Sequence, residues 1–141
     1  MNRREARQVA LRALYQMDVA DAMLKEAVQF ALEGLCPDAS EVEFVTRLTS
    51  DTWELMPELD ERIRPNLKGW TLERIPITDL CILRLALCEI LTMDTPVKVV
   101  INEAVELAKE YGTSESGRFV NGVLASLAKS LDCYQFAKRE Q

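Results

Sequence analysis

The sequence predicts an all-α protein of about six to seven helices. Three observations carry this. Apolar residues recur at helical spacing along almost the whole chain. The 141 residues hold only five glycines and five prolines, among abundant Ala, Leu, Glu and Arg. One stretch, residues 76–93, is apolar nearly all round, the signature of a helix central to a bundle. With 48% hydrophobic residues the chain can bury a real core and does not have a disordered composition.

The elements follow in order. Residues 4–18 place Ala6, Val9, Ala10, Ala13, Leu14 and Met17 on one helical face. Residues 22–34 repeat the pattern and stop at Gly34, a C′ residue. In "CPDASEVEF", Ser40 with Glu43 three residues on reads as a capping box, opening a helix through about Leu55. Pro57 interrupts it, and a short helix restarts there and runs to about Ile63. Pro65 to Trp70 is the clearest break, which suggests subdomains at 1–66 and 67–141.

The second half opens with the apolar helix 76–93, begun by Pro76 and ended by the turn Asp94–Pro96. Residues 97–112 hold a β-branched run, but the continuation through Glu106, Leu107 and Lys109 keeps helical spacing and argues against a strand. "TSES" supplies cap hydroxyls and an acidic first turn for a last helix, 117–131. The tail "DCYQFAKREQ" (132–141) is expected to fray.

These residues exclude much chemistry. There is no histidine, so the commonest general base is missing. No phosphate-cradling glycine loop, GxSxG or HExxH occurs. Cys36, Cys81, Cys88 and Cys133 form no CxxC pair, and they read as free thiols packed as small hydrophobes. Cys81 and Cys88 would lie roughly 10 Å apart along one helix, too far for a disulfide. Without close-spaced ligands no structural zinc is expected. No cofactor and no catalytic residue are assigned. No apolar run approaches the ~20 residues that span a bilayer, and no signal peptide is recognisable.

Charge is the informative feature. The chain carries −6 overall, yet Arg3, Arg4, Arg7 and Arg12 against Glu5 and Asp18 leave residues 1–20 at +2. At 100° per residue, Arg4, Arg7, Leu11 and Tyr15 share one side of the first helix. Gln8 and Arg12 lie further round, with Arg3 at the end. We therefore expect an outward strip of basic residues with one tyrosine. Arginine forks match phosphate, and tyrosine can stack on an unpaired base. The helix dipole disfavours cations at its start by roughly 0.3–1 kcal/mol each. Composition leaves anion binding and a merely solvated face equally open.

Four blocks settle the comparison: "RREARQVALRALYQMDV" (3–19), "GWTLERIPITDLCILRLALCEIL" (69–91), "PVKVVINEAVELAKEYG" (96–112) and "SESGRFVNGVLASLA" (114–128). Together they resemble the NusB family of bacterial transcription antitermination factors; residues 20–65 match mainly in helical pattern. The resemblance implies two small helical bundles without catalytic activity. It implies pairing with the small-subunit ribosomal protein that doubles as NusE, and binding of single-stranded boxA RNA in nascent ribosomal or phage transcripts. That complex helps RNA polymerase pass terminators.

Carried over by the resemblance, RNA contacts fall on Arg3, Arg4, Arg7 and Tyr15, with Arg12 beside them. A second RNA patch falls on Ser116, Arg118, Phe119 and Asn121. Core packing for Phe119 and close helix approach at Asn121 and Gly122 remain open. The protein-binding surface falls on Glu73, Arg74, Asp79, Glu103 and Glu106, expected to be exposed; solvation alone would also explain Glu103 and Glu106.

The chain departs from its relatives at Leu80, where a basic residue is common, and at Cys88, where an aromatic is. Both bear on the partner surface, and Glu115 beside Arg118 tempers RNA affinity. Relatives occur as monomers and as homodimers. Two rivals remain: a helical interaction module that binds no RNA itself, and the RNA-binding front of an RNA cytosine methyltransferase. The chain shows no cofactor loop or catalytic cysteine motif for the second.

Overall fold

The first helix, α1 (Arg3–Ala20), starts where Asn2 accepts a hydrogen bond from the Glu5 amide at 2.8 Å. It ends at Asp21, whose left-handed φ of 54° stops the chain. The computed structural model describes residues 1–139, and side chains through 131. Its further helices are α2 (Leu24–Ala31), α3 (Ala39–Glu54), α4 (Met56–Ile63), α5 (Ile77–Thr92), α6 (Val97–Tyr111) and α7 (Ser116–Arg139). Short 3₁₀ turns at Arg64–Asn66 and Leu72–Arg74 flank the expected break, Pro65 to Trp70.

Three boundaries differ from expectation. The capping box belongs to Asp38 and Glu41: Asp38 accepts from the Glu41 amide at 2.8 Å, and Glu41 accepts from the Asp38 amide at 3.1 Å. Ser40 instead donates to the Asp38 carboxylate. Aspartate two residues earlier outcompetes the hydroxyl because it accepts with full charge near the helix start. The second helix starts at Leu24 and stops at Ala31, short of Gly34, which takes φ +81° in the following turn. The last helix continues past 131 to Arg139; residues 140–141, the fraying expected of them and the Cys133 side chain lie outside the described residues.

Helix α5 organises the packing. It touches α1, α3, α4, α6 and α7, and buries all residues from Asp79 to Ile90. The apolar run expected to be central is therefore central. It also carries charges inside. Arg84 donates to both Asp60 oxygens of α4 at 2.8 Å, and lies 3.8 Å from Asp18 of α1. One guanidinium thus ties three helices together. Cys81 and Cys88 are buried and free, and Cys36 is exposed. Burial pushes the Cys81 thiol up to about 12, which leaves it inert.

The α6–α7 corner is closed by Gly112. A Cβ there would collide with the Ser116 side chain and the Ala108 carbonyl. Gly112→Ala should therefore lower stability by about 1–3 kcal/mol through overpacking, read as a lower urea midpoint. Unchanged stability would mean the corner opens freely.

Candidate nucleic-acid interface

Helix α1 directs its arginines in three ways. Arg4, Gln8 and Arg12 recur every four residues and all reach α6. Arg4 donates Nε and Nη2 to Glu103 at 3.0 and 3.1 Å, Gln8 donates to Glu110 at 2.8 Å, and Arg12 Nη1 donates to the Tyr111 hydroxyl at 2.8 Å. The Arg4 side chain remains exposed, with a carboxylate partner. Arg12 is exposed and, among the described residues, bonds only neutral groups, the second being the Ala31 carbonyl at 3.3 Å. Its charge is therefore available. Arg3 is exposed and lies over the Phe44 ring, 3.8 Å from its centroid, as a cation–π contact.

Arg7 corrects the expected outward strip. It is only 8% exposed and donates Nε and Nη2 to Glu89 of α5 at 2.8 and 2.7 Å. That hydrogen-bonded carboxylate holds the Arg7 guanidinium above its ordinary pKa, against the desolvation that lowers it. Leu11, expected beside it, is buried as well. The reason is tertiary: α5 and α6 cover this side of α1, so the strip is split.

Tyr15 remains outward at 38% exposure. It lines a groove of about 510 Å³ with Leu11, Arg12, Gln16, Phe30, Ala31, Glu33, Thr78 and Tyr111. Three aromatic residues, the Arg12 guanidinium and Glu33 thus meet where α1, α2 and α6 come together. Phe30 and Tyr111 escaped the sequence reading. Phe30, 64% exposed on a short amphipathic helix, was detectable as an aromatic off the apolar face. Tyr111 had no such signal, since its role depends on Arg12, 99 residues away.

The second patch is also divided. Ser116 is buried at the α6–α7 corner, where its hydroxyl accepts from the Thr113 amide at 2.9 Å. Its local role is the corner. Arg118 and Asn121 are exposed. Phe119 is half-buried and packs edge-to-face on Trp70, with ring centroids 6.2 Å apart.

Among the expected partner residues, Glu73, Arg74 and Glu106 are exposed. Glu73 pairs with Arg64 at 2.9 Å, and Glu106 with Lys109 at 3.5 Å. Glu103 is half-buried under Arg4. Asp79 corrects the expectation of exposure: it is 4% exposed, and its Oδ1 has no hydrogen-bond donor. It sits in the first turn of α5, where the helix dipole favours a carboxylate.

The Arg4 hydrogen bonds hold the Glu103 carboxyl below its usual range. A depressed carboxylate stabilises the fold above its unfolded pKa and loses that contribution as pH falls through the folded value. Unfolding followed from pH 6 to 3 should show a smaller acid-side loss in Glu103→Gln than in the wild type. Parallel curves would mean the pair contributes nothing.

Among the described residues, no cluster of metal-ligating side chains occurs, and no helix is long and apolar enough to cross a membrane. Comparison with known proteins then converges. The model of the NusB family matches residues 4–129. The transcription antitermination protein NusB of Staphylococcus carnosus is 44% identical over 129 residues, covering 90% of this chain and 99% of its own. The solved structure of T. maritima NusB superposes with a TM-score of 0.83 at 36% identity, covering 92% of each chain. A crystal structure of the antitermination factors NusB and NusE in complex with dsRNA matches with a TM-score of 0.80 at 26% identity, over 91% of this chain and 96% of that one. The chain belongs to the NusB family.

Proposed function

We propose that this protein is an RNA-binding transcription antitermination factor. It binds single-stranded boxA-type RNA of nascent ribosomal RNA transcripts together with the ribosomal protein NusE, and helps RNA polymerase resist termination. The role is non-enzymatic and cytoplasmic. Family membership supports this reading, as does the similar NusB seen with NusE and dsRNA. The observation that carries it is the α1 groove, where Arg12 has no carboxylate partner among the described residues and Tyr15, Phe30 and Tyr111 offer ring surface. Cation plus stacking ring is the chemistry of single-strand binding.

Arg3, Arg12 and Arg118 take phosphates, and Tyr15 stacks on a base. Arg4 contributes when RNA competes with Glu103. Arg7 and Ser116 act through the fold, and Phe119 and Asn121 extend the site along α7. NusE meets the C-terminal subdomain (67–141) at Glu73, Arg74, Glu103 and Glu106, and near the donor-free Oδ1 of Asp79, while subdomain 1–66 contributes the arginine-bearing helix.

The test is fluorescence anisotropy of a labelled boxA-type RNA, single-stranded and as a duplex, with and without NusE. Tighter single-strand binding with NusE is expected, because an acidic body binds RNA weakly alone. Equal affinity with and without NusE would contradict the cooperative role. No RNA binding in either case would leave an interaction module.

A further inference from the structure

Trp70 is 59% exposed yet firmly held. The residues before it, Lys68 and Gly69, both take positive φ, 45° and 92°. For lysine this conformation is uncommon. The Trp70 amide donates to the Leu67 carbonyl at 3.2 Å, and Ser126 of α7 donates to Asn66 at 2.5 Å, fixing the loop on α7. The indole rests edge-on against Phe119. A strained turn therefore holds a large ring in water, where burial would have stabilised the fold.

Two cations lie beside the rings in the chain. Lys68 and Arg118 are exposed, and neither forms an ion pair among the described residues. Sequence neighbours of this patch line the α1 groove. Thr78 follows Trp70 by eight residues and lines the groove, and Tyr111, which lines it too, ends α6 five residues before α7 begins.

We infer that Trp70 adds a second stacking ring to the α7 patch, taking an unpaired base beside Phe119, and that Lys68 joins Arg118 in binding the flanking phosphates. This rests on the RNA-binding reading above. An exposed indole with unpaired cations beside it in the chain suits a polyanion with stackable bases better than an apolar protein face.

Trp70 becomes the single indole in a Trp53→Phe background. Its fluorescence should be quenched when a single-stranded boxA-type oligoribonucleotide is added. In anisotropy, Trp70→Ala should weaken binding roughly five- to hundredfold with the salt slope unchanged, and Trp70→Phe should retain most of the affinity. Lys68→Ala/Arg118→Ala should instead make the slope shallower. If the wild type binds and Trp70→Ala binds equally well, this inference fails and the RNA reading stands. If Trp70→Ala loses only NusE, the ring is a protein contact and the inference fails. If the wild type binds no RNA, both fail.

Discussion

Replacing Glu89 with alanine should lower the unfolding free energy by about 3–5 kcal/mol. Glu89 is buried and takes both donors of the Arg7 fork, so its removal leaves a guanidinium desolvated without a counter-charge. The pair also joins α1 to α5, elements 82 residues apart at this contact. Arg7→Met combined with Glu89→Leu should restore most of the loss, because two apolar side chains need no partner. Urea unfolding followed by circular dichroism measures all three proteins. A loss below about 1 kcal/mol for Glu89→Ala would mean that water reaches the pair. The same reasoning separates structure from binding: Arg7→Ala should lose RNA affinity only in step with lost fold.

The second large effect concerns the groove. Arg12→Ala/Tyr15→Ala should weaken single-stranded RNA binding by about a hundredfold, one stacked base and one phosphate contact together. Both side chains are exposed, and Arg12 bonds only a hydroxyl and a carbonyl across to its neighbours. The fold should therefore survive, and melting curves close to wild type would establish that the loss is one of contact. Unchanged affinity would move the site away from the groove.

Much of the fold was legible because helical period is a local property. The order of the helices, the restart at Pro57 and the centrality of 76–93 were all visible in single segments. The failures have local and long-range causes. The capping box was assigned to Ser40 because two overlapping pairs satisfy the same spacing, and charge decided for Asp38. The fate of Arg7 was invisible on a helical wheel, since only packing against α5 puts Glu89 opposite it. A signal did exist: Arg84 and Glu89 are charges on a helix apolar all round, and such charges demand buried partners. Read that way, α5 asks for a cation and an anion from its neighbours, which Arg7 and Asp60 supply. Asp79 stayed ambiguous because a carboxylate in a first helical turn suits an exposed or a buried helix start equally.

In the proposed function, cations without carboxylate partners among the described residues, and not the arginine count, carry RNA binding. The most direct test is the salt dependence of affinity for single-stranded boxA-type RNA, comparing the wild type with Arg3→Ala/Arg12→Ala/Arg118→Ala. With three to four phosphate contacts, the wild-type slope of log K against log salt should be about −2 to −3, and the triple variant should flatten to about −1 or shallower, the remainder coming from Lys68 and Arg4. A triple variant that keeps the wild-type slope would contradict the account and return the site to the paired arginines.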